Sequence, residues 1–492
     1  MNDRYISEIR VLPVQIRRKE QCRLNTPIFD FVSEYTQKNA SRMHMPGHKG
    51  NAFLGCESMD ITEIPGADVL HHATGIIRES EETVASLFGS GATFFSTEGS
   101  SLCIKAMLDA LVQAAYGKEI CPVIVAARNI HRSMVDACAL LDLDIRFVKG
   151  SNPRHICTSR LTPENLHREL SVMDKRPLGV YVTSPDYLGE MQDIAGLARV
   201  CREFCVPLVV DNAHGAYLRF LEPSRHPITL GAAMCCDSAH KTLPVLTGGA
   251  YLHVAEEFVK DFAWRIPGGM ALFGSTSPSY LLLQSLDLCN RYLADGYRER
   301  LKLFVARLEQ CRNHMQQCGF VIRESEALKI TIEAANMGVS GESLAEKLRV
   351  AGIECEYSDR DYVVLMLTPE NTEEDIQRLE RFADAYREKG CYTDSRQSVN
   401  REVKEKCQEG SPSPATLYMG EVTRACSIRE AVFAPGEEIP VEEAVGRILG
   451  AETVSCPPAI PIAICGERIT HEMVRLFQRY GISTVTVLKG SS

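Results

Sequence analysis

The chain has 492 residues, 45% of them hydrophobic and 24% charged, so its composition is globular and its length suits two to four domains. Its net charge of −10, from 54 Lys and Arg against 64 Asp and Glu, offers no basic field to nucleic acid or to an anionic membrane. The 19 scattered cysteines are too few for a disulfide scaffold, and no apolar run approaches the roughly 18 residues of a membrane span, so we expect a cytoplasmic protein with reduced thiols and no signal peptide.

The first half of the chain alternates short apolar runs with helical patterns, and the runs are apolar throughout, as strands buried on both faces are. Strands are predicted at Pro122–Ala127, Gly179–Thr183 and Pro207–Asp211. Helices are predicted near Arg132–Leu141 and Gln192–Phe204. This repeated β-α-β pattern predicts an α/β fold with an open, mostly parallel sheet, whose active site lies at the carboxyl ends of the strands.

The second half of the chain divides into smaller units separated by a polar stretch. The predicted elements are long helices at Pro278–Ala294 and Tyr297–Gln317, strands near Lys329–Ile332 and Tyr362–Met366, a helix at Val441–Ile448 and a strand at Thr484–Leu488. We therefore divide the chain into an N-terminal segment, a large α/β domain, a small α+β domain, a linker and a C-terminal domain, at 1–50, 51–318, 319–390, 391–415 and 416–492.

Several common functional motifs are incomplete in this sequence. Lys241-Thr242 lacks the glycines of a phosphate-binding loop, because His240 and Cys235 stand where those glycines belong. His471-Glu472 begins a zinc-protease pattern, but the second ligand position is Arg475, which does not bind zinc. We therefore predict no metal site, and the absence of a G-x-S-x-G motif weakens a hydrolase interpretation.

Three polar residues follow apolar runs in the predicted sheet: His131, Asp211 and Lys241. Their chain order suits pyridoxal 5′-phosphate, whose aldehyde condenses with a lysine. In such a site the carboxylate keeps the pyridine nitrogen protonated, and the imidazole provides a flat face for the ring. Each residue alone is more often a solvated or capping side chain. The three together on an α/β frame favour a cofactor site.

The phosphate of this cofactor needs hydrogen-bond donors. The hydroxyl-rich segment Thr97–Ser101 precedes a helix predicted to begin near Leu102, and the N–H groups at a helix N-terminus bind phosphate. Ser238 and His240, just before the lysine, add donors from a second side. The sequence thus predicts a phosphate seat built from two segments of the chain.

Nine segments spread along the chain carry a family resemblance. They read TPIFDFVSEYTQKNASRMHMPGHKG, DITEIPGADVLHH, SGATFFSTEGSS, RNIHRSM, TSPDYLGEMQDI, VVDNAHGAYLRF, DSAHKTLPVLTGGAYLH, STSPSYLLLQSLD and EEAVGRILGAETVSCPPAIPIAICGE. These segments resemble the Orn/Lys/Arg decarboxylase family, a group of fold-type-I pyridoxal-phosphate enzymes related to aspartate aminotransferase. The resemblance covers roughly the whole chain outside the polar stretch and implies an aspartate-aminotransferase-like large domain.

Carried over by position, the resemblance implies Lys241 as the Schiff-base lysine, Asp211 as the partner of the pyridinium nitrogen and His131 as the stacking residue. The phosphate-binding residues it implies are Ser100, Ser101, Ser238 and His240, and the residues beside the ring are Ala213 and His214. A loop with Thr276 and Ser277 would come from the second subunit, which implies a homodimer with shared active sites. Only about 25 residues precede the first motif, so we expect the short form of the family, without the N-terminal wing domain and its decamer.

Four residues depart from the usual pattern of the family: Ala73, Cys103, Ile104 and Asn212. None of these departures removes a catalytic group. The residues at 103 and 104 would reshape the phosphate cup, and those at 73 and 212 would reshape the substrate pocket.

The activity implied by the resemblance is decarboxylation of a basic L-amino acid. Arginine, lysine or ornithine would give agmatine, cadaverine or putrescine and carbon dioxide, with a role in polyamine metabolism. Lys241 is the expected proton donor to the substrate α-carbon, and His240 is the second candidate. The distal cation of the substrate needs an acidic pocket, for which Asp68, Glu442 and Glu443 are candidates by charge alone.

Two other functions stay open at this point. One is a different pyridoxal-phosphate enzyme, either an aminotransferase or a lyase acting at Cβ or Cγ. An aminotransferase usually keeps an arginine for the substrate carboxylate in its small domain, here Arg349 or Arg360. The other is a non-catalytic regulatory relative, since a fold does not guarantee its chemistry. Such a relative is expected to have lost Lys241 or Asp211, and this chain has both.

Overall fold

The computed structural model describes residues 24–148, 155–388, 423–451, 453–455 and 460–490. The linker predicted at 391–415 therefore lies outside the described residues, as do residues 1–23 of the predicted N-terminal segment. Within the described part of the chain, no helix combines the length and apolar character needed to cross a membrane.

A seven-stranded sheet forms the centre of the large domain. Its strands are β1 (Ala92–Ser96), β2 (Ile120–Ala126), β3 (Asp144–Phe147), β4 (Arg176–Thr183), β5 (Leu208–Asp211), β6 (Met234–Asp237) and β7 (Ala250–Val254). In space they follow the order β1-β7-β6-β5-β4-β2-β3. Strands β2 to β6 run parallel, and β7 is antiparallel to both of its neighbours. This sheet confirms the predicted fold class, and the three predicted strands correspond to β2, β4 and β5.

Helices cover both faces of this sheet. They are α1 (Pro27–Gln37), α2 (Ile76–Phe88), α3 (Gly99–Ala115), α4 (Arg132–Leu141), α5 (Pro163–Ser171), α6 (Ile194–Glu203), α7 (Ala239–Thr242), α8 (Ile266–Phe273), α9 (Tyr280–Ala294) and α10 (Tyr297–Gln317). Alternate strand residues point to opposite faces. Val180 and Val182 of β4 therefore pack with α5 and α6, whereas Tyr181 between them packs with α3, α4 and α8. Both predicted helices of the sheet region and both long helices after it are confirmed.

The small domain is an antiparallel sheet with two helices. Its strands are β8 (Ile322–Arg323), β9 (Lys329–Ile332), β10 (Tyr357–Ser358) and β11 (Val363–Met366), in the spatial order β10-β11-β9-β8. Its helices are α11 (Gly341–Val350) and α12 (Glu373–Glu388). Both strands predicted here are present, and the unit shares one apolar core with α1, α2, α9 and α10.

The C-terminal region contains two short antiparallel pairs, β12 (Gly436–Pro440) with β15 (Thr484–Leu488) and β13 (Thr453–Ser455) with β14 (Ile460–Ala463). Its helices are α13 (Ile428–Phe433) and α14 (His471–Arg479). The strand predicted at Thr484–Leu488 is confirmed, but the helix predicted at Val441–Ile448 is wrong. Only a 3-10 turn forms there, because Gly446 takes a left-handed φ of +84° and Ile448 then forms a β-bridge with Arg468.

Candidate active site

The predicted site residues lie after neighbouring strands of the central sheet. Strand β5 ends at Asp211, and β6 runs parallel beside it with Cys236 opposite that residue. The chain leaves β6 at Asp237 and enters the short helix α7, which carries His240 and Lys241. Parallel strands have their carboxyl ends at the same edge, so this topology brings the carboxylate and the lysine together.

Lys241 is half-buried, and its amine lies beside a buried imidazole. Its Nζ lies 3.1 Å from Nε2 of His214, whose residue is 5% exposed. Burial lowers the pKa of Lys241, and the carboxylates of Asp211 and Glu356 act against that effect. Burial also lowers the pKa of His214 well below its usual range, and the nearby Lys241 adds to this. The pair therefore favours a neutral imidazole that accepts a hydrogen bond from the amine.

The other ring nitrogen of His214, Nδ1, has no hydrogen-bond partner among the described residues. When Nε2 accepts from Lys241, Nδ1 of the neutral ring carries the proton. Nδ1 is also buried. A buried donor without an acceptor is costly, so this atom indicates a polar group of a ligand beside the lysine.

Asp211 is buried and held in a fixed orientation. Its Oδ2 accepts a hydrogen bond from the Tyr181 hydroxyl at 3.1 Å, and its Oδ1 accepts one from the backbone N–H of Ala213 at 3.2 Å. Tyr181 lies on β4, next to β5, inside a strand that the sequence identified only by its apolar character. Ala213, expected beside the cofactor ring, is buried and follows Asp211 by two residues.

His131 is the N-cap residue of α4. The backbone N–H of Ser133 donates to its Nδ1 at 3.2 Å, which fixes the orientation of the ring. Burial lowers the pKa of His131, although the charge of Asp211 opposes this. A neutral, oriented imidazole is suited to stacking on a flat ring.

Hydroxyl groups from three segments meet at the start of α3. Ser238 Oγ donates to Ser100 Oγ at 2.9 Å, and Ser133 Oγ donates to Ser101 Oγ at 2.8 Å. The helix begins at Gly99, whose φ is +69°, and not near Leu102 as predicted. Ser100 and Ser101 therefore lie in its first turn, where backbone N–H groups also face outward. The arrangement suits a phosphate dianion.

The remaining predicted residues lie around this centre. His240 is half-buried, and its backbone N–H donates to the carbonyl of Gly249 at 3.2 Å. Thr276 and Ser277 are exposed, and their loop is tied to the start of α3 by the N–H of Ser275, which donates to Glu98 Oε1 at 2.6 Å. Among the described residues, neither Thr276 nor Ser277 has a hydrogen bond to the serines of the phosphate seat.

Behind the site lies a fully buried network that the sequence analysis missed. Asp237 accepts hydrogen bonds from Asn212 Nδ2 at 2.7 Å and from His226 Nε2 at 2.9 Å, and His253 Nε2 lies 3.4 Å away. Burial alone would raise the pKa of Asp237, but the two histidines hold it well below its usual range. Asn212, a departure from the family pattern, thus places an amide donor against this carboxylate. The other departures near the phosphate seat, Cys103 and Ile104, are buried in α3.

A second group of residues connects the site to the small domain. The Tyr187 ring meets His214 edge to face, with ring centroids 5.1 Å apart, and its hydroxyl donates to Glu356 Oε1 at 2.9 Å. Glu356 is half-buried just before β10. Lys329 of β9 is fully buried, and its Nζ donates to the carbonyl of Asp186 at 3.0 Å. Sequence reasoning missed these residues because nothing in their local pattern marks them.

The five residues named as candidates for binding the substrate either have other partners or are exposed. Asp68 accepts backbone N–H groups at the start of α2, among them that of Gly75 at 2.8 Å. Glu442 accepts from Gln478 on the surface, and Glu443 is exposed. Arg349 pairs with carboxylates of its own small-domain surface, and Arg360 is exposed.

Together these residues fit pyridoxal 5′-phosphate. The lysine amine would hold its aldehyde, the unpartnered donor of His214 would meet a ring substituent, and the carboxylate of Asp211 would meet the pyridine nitrogen. The hydroxyls at the start of α3 would surround the phosphate. Each of these groups matches one functional group of the cofactor.

Comparisons with known proteins agree with this fit. The family model described as Orn/Lys/Arg decarboxylase, major domain, matches residues 26–334. The chain is 30% identical over 486 residues to an arginine decarboxylase of Halalkalibacterium halodurans, covering 92% of each protein. It is 28% identical to an arginine decarboxylase of Bacillus subtilis, over 91% of this chain and 92% of that protein. The lysine decarboxylase of Francisella novicida has a similar fold, with a TM-score of 0.75 and 15% identity over 94% of this chain and 81% of that one.

Proposed function

This chain belongs to the Orn/Lys/Arg decarboxylase family, and we propose that it removes carbon dioxide from arginine, lysine or ornithine with pyridoxal 5′-phosphate as cofactor. The products would be agmatine, cadaverine or putrescine. The observation that carries the proposal is the amine of Lys241 next to the buried His214, with the buried Asp211 at the end of β5. The names of the relatives support a basic amino acid as substrate. A homodimer, a cytoplasmic location and a role in polyamine metabolism stay predictions.

Each residue of the site has a proposed role. Lys241 holds the cofactor aldehyde covalently, Asp211 accepts the hydrogen of the pyridine nitrogen, and His131 stacks on the ring. Ala213 packs against the ring, and His214 donates a hydrogen bond to it. Thr276 and Ser277 of the partner subunit close the site. The phosphate is bound by four residues: Ser100, Ser101, Ser238 and His240. When bound, the cofactor accepts the electron pair left on the α-carbon after carbon dioxide departs.

Proton return is the step that the protein itself performs. With the cofactor bound, Lys241 would hold a proton at Nζ and return it to the substrate α-carbon. Burial lowers the pKa of this lysine, so it gives up a proton more readily than an exposed lysine does. His240 is the second candidate, because it precedes Lys241 on α7 and is half-buried.

The proposal is tested by product analysis. The purified, cofactor-loaded protein is incubated separately with arginine, lysine and ornithine, and the products are identified by mass spectrometry. We expect one amine to form in excess over the other two, with release of carbon dioxide. A keto acid would indicate an aminotransferase. The absence of any amine from a protein that retains the cofactor would favour a lyase or a regulatory protein.

We further propose that Glu356 binds the distal cation of the substrate. A path of contacts leads from Lys241 through His214 and Tyr187 to this carboxylate. Replacing Glu356 with Gln should raise KM for the preferred substrate by about 10- to 100-fold, since a hydrogen bond to a charged group contributes roughly 1.5–3 kcal/mol. The change in kcat should be smaller, because the carboxylate lies away from the α-carbon. Steady-state kinetics with the identified substrate measure both constants.

Glu354 offers the matched control for this substitution. It lies two residues away on the exposed surface and pairs with Arg349. Glu354→Gln should leave KM unchanged. Equal kinetic constants for Glu356→Gln and the unmodified enzyme would contradict the proposed contact.

A further inference from the structure

Three side chains that bind metals in other proteins meet where α10 ends against α12. His314 lies in the last turn of α10, Cys318 is the residue that caps this helix, and Asp384 lies on α12. His314 Nε2 is 3.1 Å from Asp384 Oδ1. Cys318 Sγ is 3.5 Å from the same oxygen and 3.7 Å from His314 Nε2. A nitrogen, a sulfur and an oxygen atom therefore lie within 3.7 Å of one another.

These separations match those of a tetrahedral zinc site. Zinc binds sulfur at about 2.3 Å, and histidine nitrogen or carboxylate oxygen at about 2.0–2.2 Å. At a tetrahedral angle these bonds place the nitrogen and the oxygen about 3.3 Å apart, and the sulfur about 3.5 Å from either. The three distances in the structure differ from these values by a few tenths of an ångström, so little movement is needed to bind the ion.

We propose that His314, Cys318 and Asp384 bind one zinc ion, with water as the fourth ligand. The thiolate and imidazole favour zinc over magnesium or calcium, which prefer oxygen ligands. The spacing of four residues puts His314 and Cys318 on one face of the chain, and Asp384 supplies the third ligand from a different helix. The ion would join the end of α10 to α12.

An ion can reach this group of side chains from solvent. The side chains of His314 and Asp384 are 36% and 52% exposed, whereas Cys318 is buried beneath them.

A second group, His226, Asp237 and His253, also brings metal-binding atoms together. Its carboxylate, Asp237, accepts hydrogen bonds from Asn212 and from His226, and the cluster differs from the one at His314 in its burial. All three of its side chains are fully buried, which leaves no route for an ion. The cluster at His314 differs in having two partly exposed side chains, through which an ion can enter.

Zinc binding is measured on the full chain loaded with pyridoxal phosphate, after dialysis against a chelator. Zinc chloride is added in a calorimetric titration, and bound zinc is counted by elemental analysis after desalting. We expect one tight ion per chain and a melting temperature that rises with zinc. Cobalt chloride should give the absorption of a tetrahedral ion together with a thiolate-to-cobalt charge-transfer band.

Substitutions locate the ion. Cys318→Ser and Asp384→Asn should each weaken zinc binding by about tenfold or more, and Cys318→Ser should abolish the charge-transfer band. Cys311→Ser, a buried cysteine on the same helix, is the control and should bind zinc as the unmodified protein does. The proposal is overturned if Cys318→Ser binds zinc with unchanged affinity, or if bound cobalt shows no thiolate band. Neither result depends on the decarboxylase activity.

Discussion

Replacing Lys241 with alanine is expected to lower the rate of amine formation by about 10⁴-fold or more and to end covalent retention of the cofactor. The substitution removes both the amine that holds the aldehyde and the proposed proton donor, and proton transfer alone contributes about 10²- to 10⁴-fold. Burial of this amine lowers its pKa and so increases the neutral fraction that can attack an aldehyde. Single-turnover assays of amine formation measure the loss in rate.

Covalent retention is tested separately by reduction with borohydride, followed by mass spectrometry of the peptides. In the unmodified protein the cofactor should be found on Lys241. Lys329 is an internal control, because it is a buried lysine whose amine donates to the carbonyl of Asp186. A cofactor adduct on Lys329, or one that persists in Lys241→Ala, would show that the assignment is wrong. Circular dichroism checks that the variant is folded.

The residues proposed for the centre of the site could be expected together from the sequence because they follow regular elements. Asp211 ends an apolar strand, and Lys241 comes four residues after the next strand. Since parallel strands share one carboxyl edge, knowing the order of these segments was enough to expect them side by side. Ser100 and Ser101 were predicted from their position at a helix N-terminus, although the helix begins three residues earlier than predicted.

The surroundings of the site could not be predicted, because they depend on contacts between distant segments. His226 and Asp237 meet only after β6 and the loop before it have folded, and Glu356 reaches Tyr187 from a different domain. The wrong helix at Val441–Ile448 has a related cause. Its apolar residues have helical spacing, but a left-handed Gly446 and pairing with distant strands decide the backbone there. Local periodicity carries no information about such pairings.

The buried network behind the site leads to the second large effect. Asp237→Asn should lower the stability of the folded protein by about 3–5 kcal/mol near neutral pH, the range found when one partner of a buried ion pair is removed. The carboxylate accepts from Asn212 and His226 and faces His253, whereas an amide would turn its own N–H groups toward one of these donors. Urea unfolding followed by circular dichroism measures the loss.

The pH dependence distinguishes this carboxylate from an ordinary buried acid. In the folded protein the pKa of Asp237 lies below that of an unfolded Asp, so its stabilising effect is present above about pH 4 and is lost only as pH falls further. Between pH 5 and pH 8 Asp237 should therefore stay ionised, and its own titration should not change the cost of Asp237→Asn. A cost below about 1 kcal/mol over this range would mean that Asp237 is not ionised in the folded protein.

Asp287→Asn is the matched control, and its pH dependence should be different. Asp287 accepts from the backbone N–H groups of Ile28 and Phe29 and from the Ser80 hydroxyl, and burial raises its pKa to about 6. Its contribution to stability is full below about pH 4 and is lost as pH rises through 6. The cost of Asp287→Asn should thus shrink between pH 5 and pH 8, because Asp287 itself titrates in this range, whereas Asp237 does not. Because Asn212 and Ser238 adjoin Asp211 and the phosphate seat, Asp237→Asn should also weaken cofactor binding, and Asp287→Asn should not.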